Sequence, residues 1–308
     1  MIFINQTEKQ SDKIKRVYKA VQKERLRKGL SFFCVLMMVL SVGFILYKTV
    51  YLKEVNAHEN NRQKSLYYDE ADAEEERRPD APEDMEDKFL RLYAQNPDIR
   101  GWITLLNTQI DYPVYQSPQS NPDYYLTHNA LKQKSSHGAI YLDPRIDLGK
   151  KPRAMILYGH HMNDGSMFRD LTKYKSLAFY KENPVFSFDT ILEEGSWKIF
   201  SVFLVNTRTE HGEVFEYQRT SFSGDDDFLD YIAQLKSRSL VDTGIELNAD
   251  DQLLLLSTCS YEHKDFRTVV AARRIRQNEN PVVEAESAKL ALNPVKPDVC
   301  AHCKHEEE

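Results

Sequence analysis

The chain has 308 residues, a net charge of −6 and four cysteines. This length bounds the protein to one or two domains. The negative charge argues against nucleic acid as a partner, and the small number of cysteines argues against a secreted domain stapled by disulfides.

An uncharged apolar stretch over residues 30–47 follows a basic N-terminal segment. Its 18 residues are near the shortest length that spans a bilayer as a helix. Residues 1–28 hold nine Lys or Arg and three acids, so the positive-inside rule keeps the N-terminus in the cytoplasm. No small-residue cleavage site follows, which favours a retained anchor over a cleaved signal peptide. We predict a cytoplasmic segment over 1–28 and a transmembrane signal anchor over 29–52, the topology of a single-pass type II cell-membrane protein.

The next segment, residues 53–83, is polar and acidic, which predicts a solvated linker. An amphipathic helix is predicted over 84–96. Short aliphatic or β-branched runs then predict seven strands, at 102–106, 110–115, 138–142, 154–158, 197–206, 252–258 and 268–275. Helical patterns interrupt the strands over 167–174 and 226–240. Many strands with few helices fit a closed barrel or a sandwich, so we predict a mainly β domain over 84–277 and a polar tail over 278–308.

Three residues at predicted strand ends form a candidate catalytic set. Cys259 ends one apolar strand, Arg267 enters the next, and His160 follows a much earlier strand. A nearby cation stabilises the thiolate that attacks an acyl carbon. A fixed donor stabilises the developing oxyanion, and a histidine can protonate the leaving amine. Chemistry alone leaves open which histidine takes part, since adjacent strand residues point to opposite faces; the alternatives are His161, His128, His137 and His263.

The motifs around these residues resemble those of the sortases, and more narrowly those of class B. The run 256–259, Leu-Ser-Thr-Cys, is similar to the family's strand end, although Leu255 stands where Thr is usual. Arg267 lies eight residues after the cysteine, and Gly159-His160 matches the family's Gly-His pair. Further agreement in the family's order extends over roughly 89–277, at 101–103, 110–114, 124–126, 138–143 and 167–174.

The resemblance implies a closed eight-stranded β-barrel with an N-terminal helix and a helical insertion, placed at 226–240. It also implies a cysteine transpeptidase that cleaves a C-terminal sorting motif of the Asn-Pro-x-Thr or Pro-x-Thr type through a thioester. The partners would be surface proteins bearing that motif and a peptidoglycan amine. Cys259 would be the nucleophile, His160 the acid/base and Arg267 the oxyanion stabiliser. The implied substrate-binding residues are Ser257, Thr258 and Leu126, and no metal or cofactor is expected.

Features of the sequence distinguish this function from three alternative functions. A pilin-polymerising sortase is disfavoured because no second apolar span exists and Arg145, rather than an aromatic residue, follows Asp143-Pro144. A papain-like or amidase-type hydrolase would carry its cysteine before its histidine, the reverse of the order here. A non-catalytic extracellular barrel would not depend on the thiol.

The tail carries Cys300 and Cys303, with two histidines close by. A zinc site normally needs a distant second pair of ligands. We expect a disordered tail or an adventitious metal binder, and we assign it no function.

Overall fold

The computed structural model describes residues 2–69, 77–260 and 266–298. The chain divides into two compact units between His58 and Glu59. The first unit holds helix α1 (Ile2–Leu46), a π-helical turn (Tyr47–Tyr51) and the beginning of helix α2 (Leu52–Tyr68). Within α1, Val21–Leu46 is long and apolar enough to cross a membrane, a property that an N-terminal signal sequence would share.

The second unit is built around a closed β-barrel. Its described strands are β1 Ile99–Thr104, β2 Asp111–Gln116, β3 Ile140–Leu142, β4 Ala154–Gly159, β5 Val185–Thr190, β6 Ser196–Asn206, β7 Val241–Asp242, β8 Leu253–Ser260, β9 Phe266–Arg274 and β10 Lys289–Leu290. Eight of these described strands form the barrel in the order β1-β2-β3-β4-β8-β9-β6-β5, which confirms the predicted barrel. Strand β5 pairs with β1 and closes the barrel, and β7 and β10 form a separate two-stranded ribbon.

Strand β8 is apolar on both faces because both faces are covered. Leu254 and Leu256 pack in the cluster inside the barrel. Leu253 and Leu255 pack in a second cluster outside it, together with the apolar face of helix α5 (Asp225–Ser237). A strand buried on two sides reads as a continuous aliphatic run, which is what the sequence has at 253–256.

Two of the predicted helices, over 84–96 and 226–240, are present with adjusted bounds, and α4 (Leu177–Glu182) is a helix that the sequence did not predict. A 3₁₀ turn (Asp87–Phe89) leads into α3 (Leu90–Gln95). Three aspartates begin α5, where the helix dipole favours negative charge. The helix predicted over 167–174 is instead a 3₁₀ segment (Arg169–Lys175).

Strand β5 was not among the predicted strands. Its buried aromatic residues, Phe186 and Phe188, lie on the inward side, and Val185, Ser187 and Asp189 on the outward side are more exposed. The sequence of β5 therefore alternates between aromatic and mostly polar residues and lacks the aliphatic run by which the other strands were predicted.

The end of α2 packs against the barrel, which differs from the solvated linker predicted over 53–83. The ring of Tyr67 stacks on Trp102 with centroids 4.4 Å apart, and its hydroxyl donates to Asp189 at 2.7 Å. Lys64 forms an ion pair with Asp111 at 2.9 Å. Aromatic burial and these polar partners overcome the general acidity of the segment.

Part of the predicted tail also packs on the domain. Strand β10 pairs with β7, the amide of Val295 donates to the carbonyl of Ser237, and that of Asp298 donates to the carbonyl of His211. Residues 300–303 lie outside the described residues. Across the described ranges, no group of three or more His, Cys, Asp or Glu could hold a metal ion.

We expect Tyr67→Ala to lower the free energy of unfolding by about 3 kcal/mol, since a buried aromatic ring is lost. Urea unfolding of the chain from Glu59 onward would measure this. Asn61→Ala is the control, because Asn61 is exposed on the same helix, whereas Tyr67 is 8% exposed. Equal losses in the two variants would mean that the Tyr67–Trp102 stack does not hold the helix to the barrel.

Candidate active site

Three adjacent strands bring the predicted catalytic residues to neighbouring positions. In the parallel pair of β4 and β8, Gly159 lies opposite Thr258, so His160 follows at the level of Cys259. In the antiparallel pair of β8 and β9, Cys259 lies opposite Arg267. The Cys259 side chain lies outside what the structure describes, and its backbone position rests on this register.

A cleft of about 770 Å³ opens at these strand ends. Its walls come from the segment after β2, the ends of β3, β4 and β8, and the segment between β6 and α5. The lining includes every predicted site residue whose side chain is described, namely His160, Arg267, Ser257, Thr258 and Leu126.

The ring of His160 is oriented by a backbone carbonyl. Its Nε2 lies 2.7 Å from the carbonyl oxygen of Leu126. A carbonyl only accepts hydrogen bonds, so Nε2 carries the proton. The remaining ring nitrogen, Nδ1, is then the one that can exchange a proton in the neutral ring.

The structure separates His160 from the other candidate histidines. His161 does not line the cleft, and burial, followed by the charge of Arg169, lowers its pKa. His128 stacks on Tyr124 with ring centroids 4.0 Å apart. His263 lies outside the described residues.

The fourth alternative, His137, is buried and pairs with the half-buried Asp164 in the loop after β4. Its Nε2 lies 2.8 Å from a carboxylate oxygen of Asp164. Asp164 also accepts from the amide and hydroxyl of Ser166 at 3.0 and 2.6 Å. Burial works to raise the pKa of Asp164, but the hydrogen bonds from Ser166 and His137 outweigh it and leave this pKa below its usual value. The amide of Phe168 closes the loop by donating to the carbonyl of His160.

Gly138, next to His137, is packed against the carbonyl that orients His160. Its φ is +60°, a backbone conformation that residues other than glycine rarely adopt. A β-carbon at this position would lie 2.5 Å from the Tyr125 oxygen and 2.7 Å from the Leu126 oxygen. A residue other than glycine would therefore displace the Leu126 carbonyl that accepts the hydrogen bond from His160 Nε2.

The predicted substrate-binding residues differ in their surroundings. Ser257 is buried, and its hydroxyl lies 2.8 Å from that of Tyr217, a residue of the wall between β6 and α5. Thr258 is 1% exposed, and within the described part of the chain its hydroxyl has no hydrogen-bond partner. Leu126 is half-buried on the opposite wall.

A polar network that the sequence did not predict holds another wall. The Asp143 carboxylate accepts from Arg145 Nε and Nη2, both at 2.8 Å, and from the Tyr158 hydroxyl at 2.9 Å. Tyr158 in turn accepts from the Gln218 amide at 3.0 Å. Burial opposes ionisation of Asp143, yet these hydrogen bonds keep its pKa below the usual value. The local signal in the sequence is Asp143-Pro144-Arg145, but neither the family resemblance over 138–143 nor the comparison with pilus-type motifs predicts this network.

Comparisons with known proteins agree with this architecture. Residues 103–275 match the Sortase domain. The chain is 37% identical to sortase B of Listeria monocytogenes over 183 residues, covering 59% of this chain and 71% of that protein. It is 31% identical to sortase B of Staphylococcus aureus over 196 residues, covering 63% and 77%. The crystal structure of sortase B from Bacillus anthracis superposes with a TM-score of 0.62 at 29% identity, covering 74% of this chain and 99% of that one.

The chain therefore belongs to the sortase family, and within it to class B. It is a cysteine transpeptidase. The two alternative functions, a papain-like hydrolase and a non-catalytic barrel, are therefore excluded.

We expect Gly138→Ala to slow thioester formation by at least about tenfold, because the displaced Leu126 carbonyl no longer orients His160. Gly244→Ala is the matched control: Gly244 has φ +69° but no atom within 4 Å of its β-carbon position, so it shares the backbone strain without the clash. Acylation rates with a sorting peptide would be measured beside thermal unfolding. A similar loss in both variants would remove the assigned role of Gly138.

Proposed function

We propose that this transpeptidase attaches surface proteins to the cell wall by cleaving a sorting motif of the Asn-Pro-x-Thr or Pro-x-Thr type. The observation that carries the proposal is the register that sets His160, Cys259 and Arg267 side by side at the mouth of one cleft. Family membership supplies the reaction class, a thioester-forming transpeptidation.

In the proposed first step, the Cys259 thiolate attacks the carbonyl carbon of the motif's threonine. The carbonyl π electrons move to the oxygen, and the Arg267 guanidinium stabilises the resulting oxyanion. Collapse of this intermediate breaks the C–N bond, and protonated His160 gives its proton to the leaving amine. The products are a thioester on Cys259 and the released C-terminal peptide.

In the second step, the acceptor amine attacks the thioester carbon. Neutral His160 takes a proton from the attacking nitrogen, and the C–S bond breaks to regenerate the thiolate. The new amide joins the surface protein to the acceptor, which we propose is an amine of peptidoglycan. The energy of the original peptide bond is kept in the thioester, so no external energy source is needed.

We also propose that residues 29–52 anchor the enzyme in the cell membrane with the N-terminus in the cytoplasm. The support is the long apolar helical segment Val21–Leu46, which overlaps this range, and the excess of Lys and Arg over residues 1–28. The barrel would then lie outside the cell, where both proposed substrates are found.

Cys259→Ala should abolish covalent capture of a sorting peptide without unfolding the barrel. The full-length chain in detergent would be mixed with a panel of Asn-Pro-x-Thr and Pro-x-Thr-Gly peptides, and the adduct would be located by mass spectrometry of digested peptides. Cys34→Ala is the control, since it removes a thiol from α1 and should leave the adduct intact. An adduct that persists after Cys259→Ala would refute the nucleophile.

Arg267→Lys should lower kcat/KM at least about tenfold although the charge is kept, because lysine lacks the planar donor fork. Arg274→Lys is the control. Arg274 lies on the same strand as Arg267 but pairs with Glu193, away from the cleft. The control is therefore expected to keep full activity. Equal activity of both variants would make Arg267 a structural residue.

A further inference from the structure

A second cleft, of about 940 Å³, adjoins the catalytic cleft. The two share Gln119 and Pro144 as lining residues, so they meet at this edge. The walls of the second cleft come from α3, the strand pair β1–β2, the segment 144–149 and the turn between β5 and β6. None of the residues assigned to the chemistry lines it.

Arg100 lines the second cleft with part of its guanidinium unused. Its Nε donates to the Gln116 side-chain oxygen at 3.0 Å. Its Nη1 donates to the carbonyls of Pro97 and Ile99 at 2.9 and 2.7 Å. A guanidinium has five N–H donors, so the two on Nη2 remain, and they make no hydrogen bond to any described residue. The side chain is thus held in place with one edge open.

The positive charge of Arg100 has no carboxylate partner within 4.0 Å among the described residues. The acids that share the cleft are otherwise engaged or exposed. Asp98 pairs with Lys132 at 2.8 Å and Asp147 with Lys150 at 3.2 Å, while Asp84 is exposed at the rim. Burial lowers the pKa of Arg100, although the nearby charge of Asp98 works to raise it. The loss of water around this cation therefore outweighs the charges near it.

A hydrogen-bond chain joins this arginine to the catalytic cleft. The Gln116 amide that orients Arg100 donates from Nε2 to the carbonyls of Asp143 and Ile146 at 3.0 and 2.7 Å. The side chain of Asp143 accepts from Tyr158 inside the catalytic cleft. The open edge of Arg100 is therefore fixed relative to the strand ends where the thioester would form.

We infer that the second cleft binds the amine acceptor, and that Arg100 binds a carboxylate of that acceptor. The inference rests on the proposed function, because only a transpeptidase needs a second substrate beside its thioester. A carboxylate matches the planar N–H edge of a guanidinium. An acceptor peptide held there by its carboxylate can extend past Gln119 and Pro144 and present its amine to the acyl group.

The full-length chain in detergent would be tested with a sorting peptide as donor and two acceptors. One is a short amine-bearing peptide with a free C-terminal carboxylate, and the other is the same peptide as its carboxamide. Amide product and hydrolysed donor would be quantified separately over a range of acceptor concentrations. Arg100→Gln is compared with Arg78→Gln, which removes an exposed arginine paired with Asp80.

For the wild type, we expect the carboxylate acceptor to have a KM about tenfold below that of the carboxamide, as for one hydrogen bond to a charged group. Arg100→Gln should abolish that difference while hydrolysis of the donor stays within about twofold. Arg78→Gln should keep the difference.

Equal KM values for the two acceptors in the wild type would overturn the inference without relying on any variant. A difference that survives Arg100→Gln would overturn the role of Arg100. If the wild type forms no thioester with any donor peptide, the proposed function itself fails, and this result is visible before an acceptor is added. Thermal unfolding of Arg100→Gln would show whether its fold is retained. Arg100→Lys keeps the positive charge, so it should restore part of the difference in KM between the carboxylate and carboxamide acceptors.

Discussion

The parallel pairing of β4 with β8 is the constraint on which the rest of the domain depends. Its register runs from Ala154 opposite Leu253 to Gly159 opposite Thr258. Parallel neighbours need a long crossover, and here the crossover carries β5, β6 and α5, which close the barrel and cover its outer face. This register puts His160, directly after β4, at the level of Cys259 on β8. The antiparallel pairing of β8 with β9 then puts Arg267 opposite Cys259. A slip of one residue would turn every β8 side chain to the opposite face.

Around this rigid frame, the cleft is shaped by loops fastened through polar pairs. His137 and Asp164 hold one loop, and Asp143 with Tyr158 holds another wall. Loops usually carry the function of a rigid scaffold, and buried polar networks that are fully satisfied make such loops specific in shape. The orientation of His160 by a backbone carbonyl fits this pattern, because it depends on how tightly two loops approach at Gly138.

The sequence predicted the strands that are buried on two sides, the class of fold and the family, because aliphatic runs and strand-end motifs are local signals. It did not predict β5, whose buried aromatic residues occupy one side only and which has no aliphatic run. The docking of Tyr67 on Trp102 was also missed, since a contact between distant aromatic residues leaves no periodic trace. The cleft walls were not predicted for the same reason: Tyr158, a partner of Asp143, and Gln116, a partner of Arg100, are distant in sequence and are brought there by tertiary packing. The roles of His160, Cys259 and Arg267 stay predictions.

The strand order has a consequence for how the enzyme is made. Strands β8 and β9 come last in the barrel sequence, yet they lie between β4 and β6 in space. A chain still emerging during synthesis therefore has two unpaired sheet edges, and such edges readily pair with other chains. The gap closes only when the segment with the thiol and the guanidinium arrives. The segment that carries Cys259 and Arg267 therefore also closes the barrel. A chain that lacks this segment has neither a closed barrel nor the reactive thiol.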